Sequence, residues 1–404
     1  MKIAVIGGGA SGLTTAYRLD RQGHQVSLFE QQPRLGGHVC TLNRNIPAAD
    51  PHLSLVLEGG VIEFPHRFHR FRELMAELNI TLEPVVIGSG LFPNRGAPYY
   101  SQTRIDQEFQ GPDWLWQSLR FGLLELRSLP LWWRWQGYRP ESLSDRTLEE
   151  LLPGDRGLHL WLKLLISYAF SMPLHSVAGF PAQLAVPVLR EYLFCDWLRI
   201  PGGVYRYMER MLARFGGEVQ LSCGTLHARR RSDGVELRQG SQWLQQFDQL
   251  VLAVPPDQVL RILTDPSPEE QRGFSPWRAN YATTVLHCDR RIYKCHRLRH
   301  EAEFDFFPSN GDWGYNAALN RICALPCDPH YGIVMRLEDQ LEPGRVIQRF
   351  HHHSPLYTVQ ALRERPWIAA INGDRHTWFV GAYLGDGLHE GAIASALAVT
   401  ERLR

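Results

Sequence analysis

Residues 1–38 read MKIAVIGGGASGLTTAYRLDRQGHQVSLFEQQPRLGGH, and the order of signals within them decides the fold class. Residues 3–6 are a short apolar run suited to a buried parallel strand, 11–22 carry helical periodicity, and 25–30 are a second apolar run. The succession is β-α-β. Gly7, Gly9 and Gly12 at the first turn have the spacing G-x-G-x-x-G. Gly7 permits a tight exit from the strand, Gly9 lets backbone approach a pyrophosphate, and Gly12 lets the helix lie close to the strand. The helix then aims its free N–H groups and positive dipole end at the phosphates. Glu30 closes the second strand 18 residues past Gly12, where a carboxylate can accept hydrogen bonds from both ribose hydroxyls. A glycine-rich turn alone is a weak signal. With a strand before it, a helix after it and an acid at this distance, it indicates a dinucleotide site.

Two further segments specify which dinucleotide. Arg34, Leu35, Gly36, Gly37 and His38 follow Glu30 within a few residues, and residues 57–64 read LEGGVIEF. Near the C-terminus, residues 377–397 read TWFVGAYLGDGLHEGAIASAL: an apolar strand reaches a glycine, a loop follows, and a helix begins near Glu390. Together these resemble the superfamily of flavin-containing amine oxidases, phytoene desaturases and protoporphyrinogen oxidases. Within it, the pattern G-A-Y/W-x-G-x-G-x-H-E resembles a bacterial branch of FAD-binding, amine-oxidase-like proteins. The resemblance spans essentially the whole chain. It implies FAD as cofactor, contacted by Gly7, Gly8, Gly9, Ala10, Ser11, Gly12, Glu30, Gln31, Gly36, Gly37 and His38 at the N-terminal end. Gly59, Gly60 and Val61 would pass the isoalloxazine ring, Thr225 or Leu226 would offer backbone to the adenine, and Gly381, Leu388, His389, Glu390 and Ala392 would face the flavin. His38 stands where the family usually has arginine. His389 and Tyr383 are the polar side chains expected nearest the ring, as proton-transfer or orienting groups.

The implied fold is α/β. A discontinuous Rossmann-type FAD-binding domain (1–80, 201–275 and 345–404) carries an inserted α+β substrate domain with a helical cap (81–200 and 276–344). A chain of 404 residues is too long for one compact core and suits two domains. Its 44% hydrophobic and 21% charged content is that of a globular protein, and a net charge of +1 makes no case for nucleic acid as a partner. Seven scattered cysteines read as reduced thiols of a cytoplasmic protein, Cys323 and Cys327 included. Residues 351–353 are His-His-His, but successive strand residues face opposite ways and no second cluster completes a metal set. No metal is expected.

Residues 114–138, WLWQSLRFGLLELRSLPLWWRWQGY, interleave Trp and Arg with Leu. One reading is a helix lying at a bilayer surface, which makes peripheral membrane contact a candidate. The favoured reading is a helix pair broken at Pro130 that packs on the core or lines an apolar cavity. Helices are also expected over 68–78, 148–151, 158–170, 183–193 and 205–215, and strands over 281–289, 303–307, 313–319 and 331–336.

Two departures bear on chemistry. The family's amine oxidases usually place tyrosine two residues before the glutamate of the last motif, as half of an aromatic cage, and commonly use a lysine to hold a water near flavin N5. Leu388 occupies the first position. The chain's three lysines are Lys2, Lys163 and Lys294, and only Lys294 lies in a plausible region, in what reads as a polar hairpin tip. The expectation is therefore an FAD-dependent oxidoreductase acting on a small hydrophobic, lipid- or isoprenoid-like substrate by hydride transfer to flavin N5. Oxidation of an amine or amino acid with O2, and a non-catalytic flavoprotein subunit, are the alternatives. Oligomeric state is not legible.

Overall fold

The computed structural model describes residues 1–403 apart from 95–96, 100–104, 107–108, 193–194, 241, 299–300 and 326–327. Cys327 lies outside the described residues; the other six cysteines are free thiols.

Ile3, Ala4 and Val5 have no accessible surface, because the strand Lys2–Ile6 is flanked on both edges and covered on both faces. It sits at the centre of a five-stranded parallel sheet, between Gln25–Phe29 on one side and Gln249–Leu252 on the other. Glu218–Gln220 and Thr377–Phe379 form the two edges. One sheet thus draws strands from the start, middle and end of the chain. The helix Ala10–Arg21 lies on it beside the C-terminal helix His389–Arg402, sharing a core that includes Leu13, Ala16, Ile393 and Val399.

A seven-stranded mixed sheet forms the second body of structure. It joins Ser89–Asn94 and Ala97–Tyr99 to Arg278–His287, Phe304–Ser309, Asp312–Ala318, Gly332–Met335 and Val346–Leu356. Helices Gly157–Ala169 and Ala182–Tyr192 belong to the connection from 100 to 200. The boundary expected at residue 345 is displaced. Strand Val346–Leu356 pairs antiparallel with Arg278–His287 from Arg278 opposite Leu356 to His287 opposite Val346, so this stretch belongs to the second sheet and the chain returns to the first only afterwards. Long pairing, with one register shift between Leu286 and His287, outweighs sequence proximity to the C-terminal motif.

Residues 111–136 correct the expected break at Pro130, while one side of the segment does pack on the core through Leu131 and Trp135. They form one 26-residue helix, Gly111–Gln136, with Pro130 inside it. Pro130 is exposed, so the hydrogen bond it forfeits falls on the side where water can satisfy the freed carbonyl. Only Ser128 and Trp135 of this helix are buried. The opposite side of the helix is left largely exposed. Among the described residues no helix is long and apolar enough to cross a membrane. Lys294, read as a hairpin tip, stands exposed on the short helix Arg291–Cys295.

Candidate functional site

At the C-terminal end of strand Lys2–Ile6 the chain turns through Gly7 at φ +108°, a conformation open to glycine. A Cβ on Gly7 would meet Ala253 O at 2.4 Å, and one on Gly12 would meet Gly7 O at 1.8 Å. Helix Ala10–Arg21, which carries Ala10 and Ser11 in its first turn, is held against the strand by these absences. Gly9 differs: a Cβ there finds only Gly37 Cα at 3.8 Å, so backbone fronts open space. Gly36 N–H donates to Gly8 O at 2.9 Å, joining the first glycine turn to the second. The second joins the third, since Val61 N–H donates to His38 O at 3.3 Å and Gly59 N–H to Cys40 O at 2.7 Å. Three glycine segments distant in sequence form one continuous wall.

Glu30 lies at its end, accepting Gly8 N–H at 2.7 Å and Gln32 N–H at 2.8 Å, with Gln31 exposed between. Ser222 N–H donates to Gln32 O and Cys223 N–H to Glu30 O, so the segment leading to exposed Thr225 runs against the same turn. His38 Nε2 bonds His353 O at 2.9 Å across to the second sheet. The three neighbouring histidines diverge: His351 pairs with Thr283, His352 with Thr284 and His353 with Asp257. Thr284 Oγ1 also donates to Gly59 O at 2.6 Å, tying the glycine wall to the second sheet.

The C-terminal motif comes to the same place, with its side chains redistributed. Gly381 follows the edge strand Thr377–Phe379, Leu388 caps helix His389–Arg402, and Ala392 is buried in its first turns. Asp386, which sequence reasoning passed over, accepts Leu388 N–H and Gly391 N–H at 2.8 Å each and so satisfies two donors of the helix start. Its signal was present: an acid just before a helix N-terminus. The Glu390 carboxylate is engaged by the start of helix His69–Glu77. It accepts Arg70 N–H at 2.7 Å and Phe71 N–H at 2.9 Å, capping helix His69–Glu77. The His389 ring stands edge-on to Phe64, Phe71 and Tyr207, with Nε2 held by the Tyr207 hydroxyl at 2.8 Å. Burial lowers its pKa to about 3. The Tyr207 bond and the surrounding rings fix the orientation of the imidazole. Tyr383 is 1% exposed beside Phe274 and Trp277, its hydroxyl has no hydrogen-bond partner among the described residues, and burial raises its pKa.

A second missed residue is Glu63, three positions past Gly60. Its Oε1 accepts the Tyr168 hydroxyl from helix Gly157–Ala169, and its Oε2 has no hydrogen-bond partner among the described residues. Tyr168 packs on Phe304 and Tyr315 of the second sheet, at centroid distances of 4.4 and 5.3 Å. Glu63 therefore sits where the glycine wall, the helical cap and the second sheet meet. It is 8% exposed, and burial, opposed by the Tyr168 bond, raises its pKa to about 7. No local pattern marks this, because its partner lies 105 residues away. The lysines supply no counterpart: Lys163 is buried against Glu149 and Asp155, and Lys2 and Lys294 are exposed.

The wall suits FAD. Open backbone at Gly9 can receive a pyrophosphate, Glu30 stands where ribose hydroxyls would lie, and the unpartnered Tyr383 hydroxyl and Glu63 Oε2 are polar atoms that burial penalises unless a ligand meets them. Comparisons with known proteins agree. The chain is 35% identical over 83 residues to the FAD-dependent oxidoreductase oblC of Cochliobolus heterostrophus, covering 20% of this chain and 16% of that protein. It is 47% identical over 45 residues to a 4,4'-diapophytoene desaturase of Staphylococcus aureus, covering 11% and 9%. These matched stretches span less than a fifth of the relatives' lengths. In structure it is similar to a putrescine oxidase double mutant, with a TM-score of 0.71 at 15% identity over 100% of this chain and 98% of the other. The fatty acid isomerase of P. acnes gives 0.70 at 15% identity, over 99% and 98%. At that identity the likeness concerns the fold. The model of the flavin containing amine oxidoreductase family matches residues 10–303, and the chain belongs to that family, with FAD as its cofactor.

Proposed function

We propose that the protein is an FAD-dependent oxidoreductase acting on a small hydrophobic, lipid- or isoprenoid-like molecule by desaturation, oxidation or isomerisation. Bound FAD supplies a hydride acceptor at N5. The single observation that carries the reading is the Glu63–Tyr168 pair within an aromatic wall. A carboxyl with a pKa near 7 holds or releases a proton at neutral pH, which suits proton exchange with a substrate that offers no charge of its own. Gly7–Gly9, Gly36–Gly37 and Glu30 would hold the dinucleotide, and Gly59–Val61 would bring the backbone against the flavin. Phe304, Tyr315 and Tyr168 would align an apolar substrate and exclude water. Similarity to a 4,4'-diapophytoene desaturase supports the substrate class.

A second reading rests on the same residue. A cationic amine would draw Glu63 into its ionised form and pair with Oε2, and the reaction would then be amine oxidation with O2 as acceptor. Anaerobic mixing of the FAD-loaded protein with fatty acids, isoprenoids and amines, followed at the flavin band near ~450 nm, separates the two. Bleaching by an apolar compound, slowed by about 10²- to 10⁴-fold in Glu63→Gln, is expected. Bleaching by amines alone would replace the first reading with the second, and FAD that no compound reduces, with no apolar compound isomerised in the same mixtures, would overturn both.

A further inference from the structure

Among the described residues, seven of the thirteen exposed large apolar side chains lie on the single helix Gly111–Gln136, which makes a patch rather than scatter. The helix has two apolar faces. Gln117, Phe121, Leu124, Ser128, Leu131 and Trp135 recur every three or four residues on the partly or fully buried side. At 100° per residue, Leu115, Leu119, Leu123, Leu126 and Trp133 fall on the opposite side, 54 to 69% exposed. This outer face runs for about 27 Å at 1.5 Å per residue. Leu115, Leu119, Leu123 and Leu126, with Trp114 and Gly122, line a shallow depression of about 270 Å³.

Charge selects the occupant. Arg120, Arg127 and Arg134 are exposed and spaced seven residues apart, so they form a row along one flank of the apolar strip. The other flank carries Ser118, Glu125 and Gln136. Tryptophans lie toward both ends, Trp114 and Trp116 at one and Trp133 at the other. An apolar strip bordered by arginine and anchored by tryptophan matches the boundary between acyl chains and anionic headgroups. A second copy fits less well: antiparallel two-fold packing of this helix would place the two arginine rows side by side.

We propose that the outer face of helix Gly111–Gln136 docks on an anionic lipid bilayer, with Leu115, Leu119, Leu123, Leu126 and Trp133 entering the acyl boundary and the arginine row meeting the headgroups. The contact stands independently of which substrate the site takes.

The test uses FAD-loaded protein and vesicles of phosphatidylcholine, with or without about one third phosphatidylserine, in a flotation assay. Wild type is expected to float with the anionic vesicles and to be released by salt. The double variant Leu119→Ser with Leu123→Ser, at exposed positions, should bind about tenfold more weakly while keeping its FAD and its melting temperature. Arg127→Gln with Arg134→Gln should bind about 30-fold more weakly to the anionic vesicles and lose most of the salt dependence. Absence of wild-type binding to anionic vesicles, or equal binding by the leucine variant, overturns the proposal. So does equal binding to pure phosphatidylcholine. A wild-type dimer in light scattering that the leucine variant turns into monomer would assign the face to a second copy instead.

Discussion

Replacing Glu63 by glutamine tests the central claim about the site. The amide keeps an acceptor for the Tyr168 hydroxyl but cannot ionise, so the variant isolates the charge. Burial raises the folded-state pKa from 4.5 to about 7, which at about 1.4 kcal/mol per pH unit corresponds to roughly 3 kcal/mol. The native chain therefore binds this proton more tightly than the unfolded chain. That contribution is fully present below about pH 4.5, falls away as pH rises, and is gone above pH 7. Glutamine never suffers the loss. The stability of Glu63→Gln relative to wild type should accordingly climb from near zero at pH 4.5 to about +3 kcal/mol at pH 8. Glu58, whose pKa burial also raises to about 7, is present in both proteins and cancels in the difference. Urea midpoints of the FAD-loaded proteins at pH 5 and pH 8 measure this directly. With an apolar substrate, the same variant should slow flavin reduction by about 10²- to 10⁴-fold near neutral pH. A stability difference that does not change with pH would show that Glu63 is not desolvated, and the proton-exchange argument would fall with it.

Other substitutions separate binding from folding. Gly9→Ala meets nothing nearer than 3.8 Å, so its melting temperature without FAD should match wild type while FAD affinity falls; Gly12→Ala, forced to 1.8 Å from Gly7 O, should lose both. Equal behaviour of the two by FAD titration and thermal unfolding would contradict this geometry. Arg230 bonds buried Glu270 and half-buried Asp265, so Arg230→Met should cost about 3–5 kcal/mol in urea unfolding by stranding Glu270. Glu390→Ala should cost about 1 kcal/mol through lost capping of helix His69–Glu77, with FAD affinity unchanged; weaker FAD binding would place the carboxylate at the ligand face. Tyr383→Phe removes an unpartnered buried hydroxyl, so the FAD-free protein should be as stable as wild type or up to about 1 kcal/mol more. If that hydroxyl meets a ligand, the loaded protein should gain nothing, which paired melting curves would reveal.

The nucleotide strand, its glycine turn, Glu30 and the terminal helix could be read from the chain because their information is local. Steric exclusion at Gly7 and Gly12, a helix dipole and an acid ending a strand act over a few residues, and their spacing is written in the sequence. Where two side chains must meet across the chain, that reading ran out. The roles of Glu390 and His389 turned on helix His69–Glu77 and on Tyr207, and the boundary at 345 yielded to pairing with residues 278–287. Glu63 acquires its pKa only when a helix 105 residues away encloses it and supplies Tyr168. The helix of residues 111–136 shows the same division: its leucines and arginines were plain, but which of its two apolar faces meets the protein and which meets the surroundings was decided by packing, because periodicity defines faces and only tertiary contacts choose between them.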